Sequence, residues 1–88
     1  MARAVLYTGP RCPKCAEAKR WLREHHIEFV EVDISQDAEA AKRLSERWIT
    51  GIPALEVDGD FVVGYSPARY TTFFIGRSVV DFIKGSVG

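Results

Sequence analysis

The sequence predicts an α/β protein with the element order β-α-β-α-β-β-α, folded as a four-stranded mixed sheet with helices on both faces. Three observations predict it. Apolar residues alternate in two early segments, they recur at helical spacing in the segment after each one, and an Asp58-Gly59 turn later joins two short apolar runs. A β-α-β unit requires a parallel pair of strands with a right-handed crossover, whereas a tight hairpin requires an antiparallel pair.

The first half of the chain predicts the β-α-β unit. Residues 3–8 are rich in strand formers and end at a Gly9-Pro10 turn. Pro13 suits the first turn of a helix, where its missing N–H costs nothing, and this helix extends to about His25. Residues 27–34 alternate apolar and acidic side chains and predict the second strand. The apolar face of the helix consists of Cys15, Ala18, Trp21 and Leu22.

The second helix is predicted to follow directly. Either Ser35 or Asp37 caps it, because both side chains can accept a hydrogen bond from an unpaired N–H of the first turn. Residues 50–53 end it. Both tryptophans, Trp21 and Trp48, lie on predicted helix faces, so we expect each to be buried or half-buried. The apolar face of the second helix consists of Ala41, Leu44 and Trp48.

A hairpin and a further helix complete the predicted fold. Residues 54–57 and 61–63 form the two strands of the hairpin. Ser66-Pro67 then supplies an N-cap and a first helical residue. Gly76 kinks or divides this helix and leaves a short last helix around residues 77–84. The inward face of the third helix consists of Tyr70, Phe73 and Phe74.

Length and composition indicate one domain, residues 1–88, which we expect to be a monomer. Twelve Lys and Arg residues balance 12 Asp and Glu residues, so a nucleic-acid partner is not expected. No secretory h-region is visible, and no apolar run approaches the ~18 residues of a membrane span. We therefore expect no membrane association and a cytoplasmic protein.

The two cysteines of the chain, Cys12 and Cys15, stand three positions apart between a predicted strand and a predicted helix. A Cys-x-x-Cys in that context is typical of a redox pair. A helix N-terminus and nearby cations lower the pKa of a thiol, and Arg11 and Lys14 adjoin Cys12 or separate the pair. We expect Cys12 to attack a substrate disulfide and Cys15 to resolve the mixed disulfide.

Other functions remain open at this point. The cysteines can be structural, or the chain can be a non-catalytic adaptor. His25 and His26 offer further ligands for zinc, although adjacent histidines do not easily take two tetrahedral positions, and an iron–sulfur site is a further alternative. We expect no bound metal, and we expect the histidines to end the first helix without a catalytic role.

Three motifs in this order resemble the glutaredoxin family of the thioredoxin superfamily, and the resemblance covers nearly the whole chain. They are Cys12-Pro13-Lys14-Cys15 after the first strand, Gly51-Ile52-Pro53 before the third strand, and Gly64-Tyr65-Ser66-Pro67 after the hairpin. The resemblance implies a thioredoxin-like fold and a dithiol thiol–disulfide oxidoreductase. It also implies a cis peptide bond before Pro53 and a substrate-binding turn at Gly64.

The resemblance also implies the residues of the site. Cys12 and Cys15 are the expected catalytic pair. Three of the expected binding residues also have alternative roles: Lys14 as a solvated surface residue, Tyr65 as a packing residue and Ser66 as a helix cap. The expected substrate-binding residues are Arg11, Pro13, Lys14, Ile52, Pro53, Gly64, Tyr65 and Ser66.

Two departures concern the source of electrons. Glutathione-using glutaredoxins usually carry a basic residue three positions before the first cysteine, where this chain has Gly9. Tyr65-Ser66-Pro67 resembles instead the small glutaredoxin-like redoxins that thioredoxin reductase reduces. We therefore expect thioredoxin reductase as electron donor and a disulfide-containing protein as substrate, with no tightly bound cofactor. The alternative is a glutathione-dependent glutaredoxin, with glutathione as the reductant.

Overall fold

A computed structural model of the protein describes residues 4–75. The order of elements is the predicted one. None of the helices in this part of the chain has the length and apolar character needed to cross a lipid bilayer. The elements are β1 (Ala4–Thr8), α1 (Pro13–Glu24), β2 (Phe29–Asp33), α2 (Ala38–Glu46), β3 (Ala54–Val57), β4 (Asp60–Val63) and α3 (Pro67–Phe74).

The four strands form one mixed sheet in the order β2-β1-β3-β4. β1 pairs with β2 in parallel, and β1 with β3 and β3 with β4 are antiparallel. Asp58 and Gly59 both have positive φ, 53° and 85°, as the predicted two-residue hairpin turn requires. The predicted fold class is therefore confirmed.

Apolar side chains cover both faces of the sheet. One core lies between the sheet and the helices α1 and α3, and it includes Trp21, Tyr70 and Phe74. A smaller core lies on the opposite face beneath α2 and includes Leu44 and Ala54. The buried face predicted for α1 is confirmed, since Cys15, Ala18, Trp21 and Leu22 are all buried.

Helix α2 begins and ends through its own capping groups. Asp37, one of the two predicted caps, accepts a hydrogen bond from the Ala40 N–H at 3.0 Å. At the other end, the Trp48 N–H donates to the Ser45 carbonyl and the Ile49 N–H to the Leu44 carbonyl, at 3.1 and 2.9 Å. This pair of bonds is the Schellman motif, and it places Trp48 in the left-handed region with φ 61°.

The expectation that Trp48 is buried on the face of α2 is wrong. The helix ends at Glu46, and 89% of the Trp48 side chain is exposed. The left-handed residue after the helix turns the chain, so Ile49 packs against the core in its place. Helix α1 ends in the same way, with His26 at φ 57° and the buried Ile27 after it.

The second strand is shorter than the predicted residues 27–34. It begins at Phe29, because Ile27 belongs to the turn that ends α1, where its N–H donates to the Leu22 carbonyl at 2.9 Å. The predicted kink at Gly76 and the last helix at residues 77–84 lie outside the described residues.

Tyr7 and Glu56 form a buried polar pair beneath α2, and Arg43 of that helix reaches the pair from the surface. The Tyr7 hydroxyl donates to Glu56 Oε1 at 2.7 Å, and the Arg43 guanidinium pairs with the other oxygen of the same carboxylate. Glu56 is 7% exposed and Tyr7 is 5% exposed. A buried carboxylate is costly unless it is paired and hydrogen-bonded, and here both oxygens are. Burial, with the hydrogen bond to Glu56, raises the pKa of Tyr7 to about 12.

Replacing Tyr7 by Phe is expected to reduce the loss of stability at alkaline pH. The folded-state pKa of Tyr7 is raised from 10.0 to about 12. The stability that protonated Tyr7 contributes to the folded protein is therefore complete below pH 10 and is lost as the pH rises toward 12. Over that interval the unsubstituted protein should lose on the order of 2 kcal/mol more unfolding free energy than Tyr7→Phe. Urea unfolding, followed by circular dichroism at stepped pH, measures this difference. Parallel pH profiles for the two proteins would contradict it.

Candidate active site

The first helix begins at the cysteine pair. Cys12 is the N-cap of α1 with extended backbone, and Pro13 is the first helical residue. The Cys12 Sγ accepts a hydrogen bond from the Cys15 N–H at 3.1 Å. The two cysteines form a disulfide with their Cα atoms 5.2 Å apart. Cys12 is half-buried, whereas Cys15 is only 3% exposed, so Cys12 is the more accessible residue of the pair.

The strand register brings the three sequence motifs to one edge of the sheet. Tyr7 of β1 lies opposite Ala54 of β3, and Ala54 lies opposite Val63 of β4. The residues just beyond these positions therefore meet at the same edge. They are Gly9 before the cysteines, Ile52-Pro53 before β3, and Gly64 after β4.

Direct contacts join these segments. The Gly64 N–H donates to the Pro53 carbonyl at 2.7 Å. A Cβ placed on Gly9 would lie 2.7 Å from Cδ1 of Ile52, so the absence of a side chain at position 9 is what allows Ile52 to pack there. The Ile52–Pro53 peptide bond is cis, as the family resemblance implied. Pro53 is fully buried, whereas Ile52 is half-buried.

The turn after β4 is held by an aromatic anchor. Gly64 has φ 87°, a conformation that favours glycine, and its carbonyl accepts a hydrogen bond from the Tyr70 hydroxyl at 3.0 Å. Tyr70 is fully buried against Trp21, and burial raises its pKa to about 12. Tyr65 packs edge-on against Tyr70, with 5.2 Å between ring centroids.

The remaining predicted residues lie at the surface or cap a helix. Ser66 is the N-cap of α3 and accepts a hydrogen bond from the Arg69 N–H at 3.4 Å. Arg11 is exposed next to Cys12. The Lys14 side chain is 63% exposed, and its Nζ lies 4.0 Å from a carboxylate oxygen of Glu17, which offsets part of its charge.

The histidines serve the end of α1. His25 stacks on Trp21 with 3.9 Å between ring centroids, and its Nδ1 lies 2.9 Å from the Trp21 carbonyl. Among residues 4–75, no group of three or more His, Cys, Asp and Glu side chains is placed to hold a metal ion.

Sequence reasoning missed two supports of the site. It placed Tyr70 inward, but it did not assign the hydroxyl, although a buried tyrosine usually needs a hydrogen-bond partner. The packing of Ile52 on Gly9 joins residues far apart in the chain, and only the register of β1 and β3 brings them together.

Comparison with known proteins agrees with this geometry. The glutaredoxin family model matches residues 4–62. An uncharacterized glutaredoxin-like 8.6 kDa protein in the rubredoxin operon of Clostridium pasteurianum is 33% identical over 67 residues, covering 73% of this chain and 87% of that protein. The glutaredoxin-like protein NrdH of Lactococcus lactis subsp. cremoris is 29% identical over 65 residues, covering 74% of this chain and 90% of the relative.

Comparison of the fold with solved structures finds proteins of the same kind. The structure of Escherichia coli NrdH-redoxin, a glutaredoxin-like protein described as having a thioredoxin-like activity profile, superposes with a TM-score of 0.74 at 21% identity, covering 80% of this chain and 92% of that one. The likeness shows a thioredoxin-like fold. With its matching family model and its redox-active cysteine pair, this chain belongs to the glutaredoxin family and is a thiol–disulfide oxidoreductase.

Proposed function

We propose that the chain is a dithiol redoxin that reduces disulfides, chiefly of proteins, with Cys12 as the nucleophile and Cys15 as the resolving thiol. The unequal exposure of the two sulfurs carries this assignment. Cys12 is accessible at the helix N-terminus, whereas Cys15 is buried one turn inward. An external disulfide therefore meets Cys12 first.

The backbone supports a thiolate at Cys12. The Cys15 N–H already points at its sulfur, and the positive end of the α1 dipole favours negative charge there. Arg11 adds positive potential next to the sulfur, and Lys14 adds less because Glu17 partly offsets it. The same N–H donor is available to Cys12 in the reduced protein, which lowers the free energy of the thiolate relative to the thiol.

The reaction proceeds in two exchanges. The Cys12 thiolate attacks one sulfur of the substrate disulfide, forms a mixed disulfide, and expels the other substrate sulfur as a thiolate that takes up a proton. Cys15 then loses its proton and attacks Cys12, which releases the second substrate thiol and leaves the Cys12–Cys15 disulfide. The substrate gains two electrons and two protons, and an external reductant must return them to the protein.

The residues around Cys12 form the proposed substrate surface. We expect Ile52, which is half-buried beside Gly9, and the turn at Gly64 to flank the approach to the Cys12 sulfur, because the strand register brings both to the same edge of the sheet. Pro53 and Ser66 act by holding these segments, because one is fully buried and the other caps α3. The proposed binding residues are Arg11, Pro13, Lys14, Ile52, Pro53, Gly64, Tyr65 and Ser66.

We assign the electron supply to a reductase of the thioredoxin reductase type and not to glutathione. A cation at position 9 would help bind the glutathione carboxylates, but this position is a glycine against which Ile52 packs. The thioredoxin-like activity profile described for Escherichia coli NrdH-redoxin supports the same choice.

The two thiols carry the exchange without a tightly bound cofactor. A single-domain, monomeric and cytoplasmic protein fits this role.

Replacing each cysteine by serine tests the order of attack. Cys12→Ser should abolish turnover with every disulfide, because no nucleophile remains at the surface. Cys15→Ser should form the mixed disulfide but not release it, so intact-mass analysis after one exposure to substrate should show a stoichiometric adduct on Cys12. An adduct on Cys15 in Cys12→Ser, or unchanged turnover in that variant, would refute the assignment.

The electron donor is tested with two coupled assays. Oxidised protein is supplied with NADPH and either thioredoxin reductase, or glutathione and glutathione reductase, while insulin reduction is followed by turbidity and NADPH by absorbance. We expect turnover with thioredoxin reductase and, with glutathione, a rate lower by at least about tenfold, or about 1.4 kcal/mol. Comparable rates with the two donors would contradict this preference, and turnover with glutathione alone would identify a glutathione-dependent glutaredoxin.

A lysine at position 9 tests whether the glycine there is the reason for the expected preference for thioredoxin reductase over glutathione. Gly9→Lys combined with Ile52→Ala places a cation beside Cys12 and removes the side chain it would displace. The double variant should gain glutathione-dependent turnover by about tenfold, through charge attraction to the glutathione carboxylates. Ile52→Ala alone is the matched control for the lost side chain. An equal gain in that control would show that charge at position 9 is not the determinant.

A further inference from the structure

An exposed tryptophan stands at the end of α2, in a position where glycine is the usual residue. Trp48 is 89% exposed and has φ 61°, as the left-handed residue of the Schellman motif. A residue with a Cβ is strained in this conformation, whereas glycine is not. Neither burial nor backbone geometry at this position favours an indole.

Trp48 forms one wall of a groove of about 440 Å³. Within residues 4–75, nine residues line this groove, and all nine are uncharged. By comparison, 27% of the residues in the whole sequence are charged. Its floor and walls are chiefly apolar and include Ile34, Leu44, Ile49 and Ile52. Such a lining suits an uncharged apolar side chain and offers no oppositely charged partner to a charged one.

One residue, Ile52, links the groove to the segment that precedes the cysteine pair. Ile52 lines the groove and also packs against Gly9, three residues before Cys12. A polypeptide whose disulfide lies at Cys12 can therefore follow Ile52 into the groove. Tryptophans that stand beside an apolar pocket contribute strongly to protein–protein binding, because they bury a large area with little loss of conformational freedom.

We propose that Trp48 and this groove bind an apolar side chain of the polypeptide that carries the substrate disulfide, near its cysteine in sequence. The proposal rests on the proposed function, since it names a substrate contact of the same site. In this proposal, Trp48 makes the protein prefer substrate disulfides that have an apolar residue near the cysteine.

The test uses synthetic peptides that each carry one cysteine as a mixed disulfide with thionitrobenzoate. Attack by pre-reduced protein releases the coloured thionitrobenzoate and is followed by stopped flow. One leucine is moved stepwise away from the cysteine in an otherwise serine and glycine background. For the best position, we expect a second-order rate constant about tenfold above that of the leucine-free peptide.

Trp48→Gly should remove this preference, so that the leucine peptide reacts at the rate of the leucine-free one. Loss of stability cannot explain the change, because glycine suits the backbone at this position, and thermal unfolding should show an unchanged or higher midpoint. His26→Gly is the matched control, since it makes the same replacement at the equivalent position of α1 and should retain the preference. Trp48→Phe should restore part of it.

Several results would overturn the proposal. Equal rates for all peptides with the unsubstituted protein would show that the groove recognises no apolar side chain, and a preference retained in Trp48→Gly would place recognition elsewhere. A dimer of the unsubstituted protein that Trp48→Gly dissociates, measured by sedimentation at the assay concentration, would assign the groove to a second copy of the chain. Failure to release thionitrobenzoate from every peptide would instead refute the proposed function.

Discussion

The register of β1 against β3 is the constraint on which the rest of the structure depends. With Tyr7 opposite Ala54, the segment before the cysteines and the segment that contains Pro53 leave the sheet at the same edge. A shift of one residue would exchange the two faces of a strand, and it would move side chains that fit one core into the other. The same pairing therefore determines both the packing of the protein and the assembly of its site.

The active site depends on a difference between the two cysteines, which this strand pairing places beside the other two motifs. One helix start places Cys12 at the N-cap and Cys15 one turn further, so the two thiols differ in exposure and in hydrogen bonding. The same edge of the sheet carries Ile52, which packs on Gly9, and the Gly64 turn, which the Tyr70 hydroxyl holds. The cysteines supply the exchange chemistry, and we propose that their surroundings govern which disulfides approach.

Local sequence signals predicted much of this arrangement. The caps at Asp37 and Ser66 and the Asp58-Gly59 turn were predictable, because the side chain or backbone freedom that forms each one belongs to the residues themselves. The burial of Trp48 was predicted wrongly. Helical periodicity does not show where a helix stops, and α2 ends at Glu46, two residues before the indole would have completed its apolar face.

Element order, the cysteine pair at a helix start and the likeness to glutaredoxins follow from the amino-acid sequence, since each depends on neighbouring residues or on a linear motif. The tertiary structure decided which surfaces meet. It seats Ile52 on Gly9, ties Gly64 to Tyr70, and leaves Trp48 beside an uncharged groove. The contact between Ile52 and Gly9 joins residues far apart in the chain, and strand pairing brings them together. The exit angle of α2 determines where Trp48 lies, and no local pattern encodes that angle.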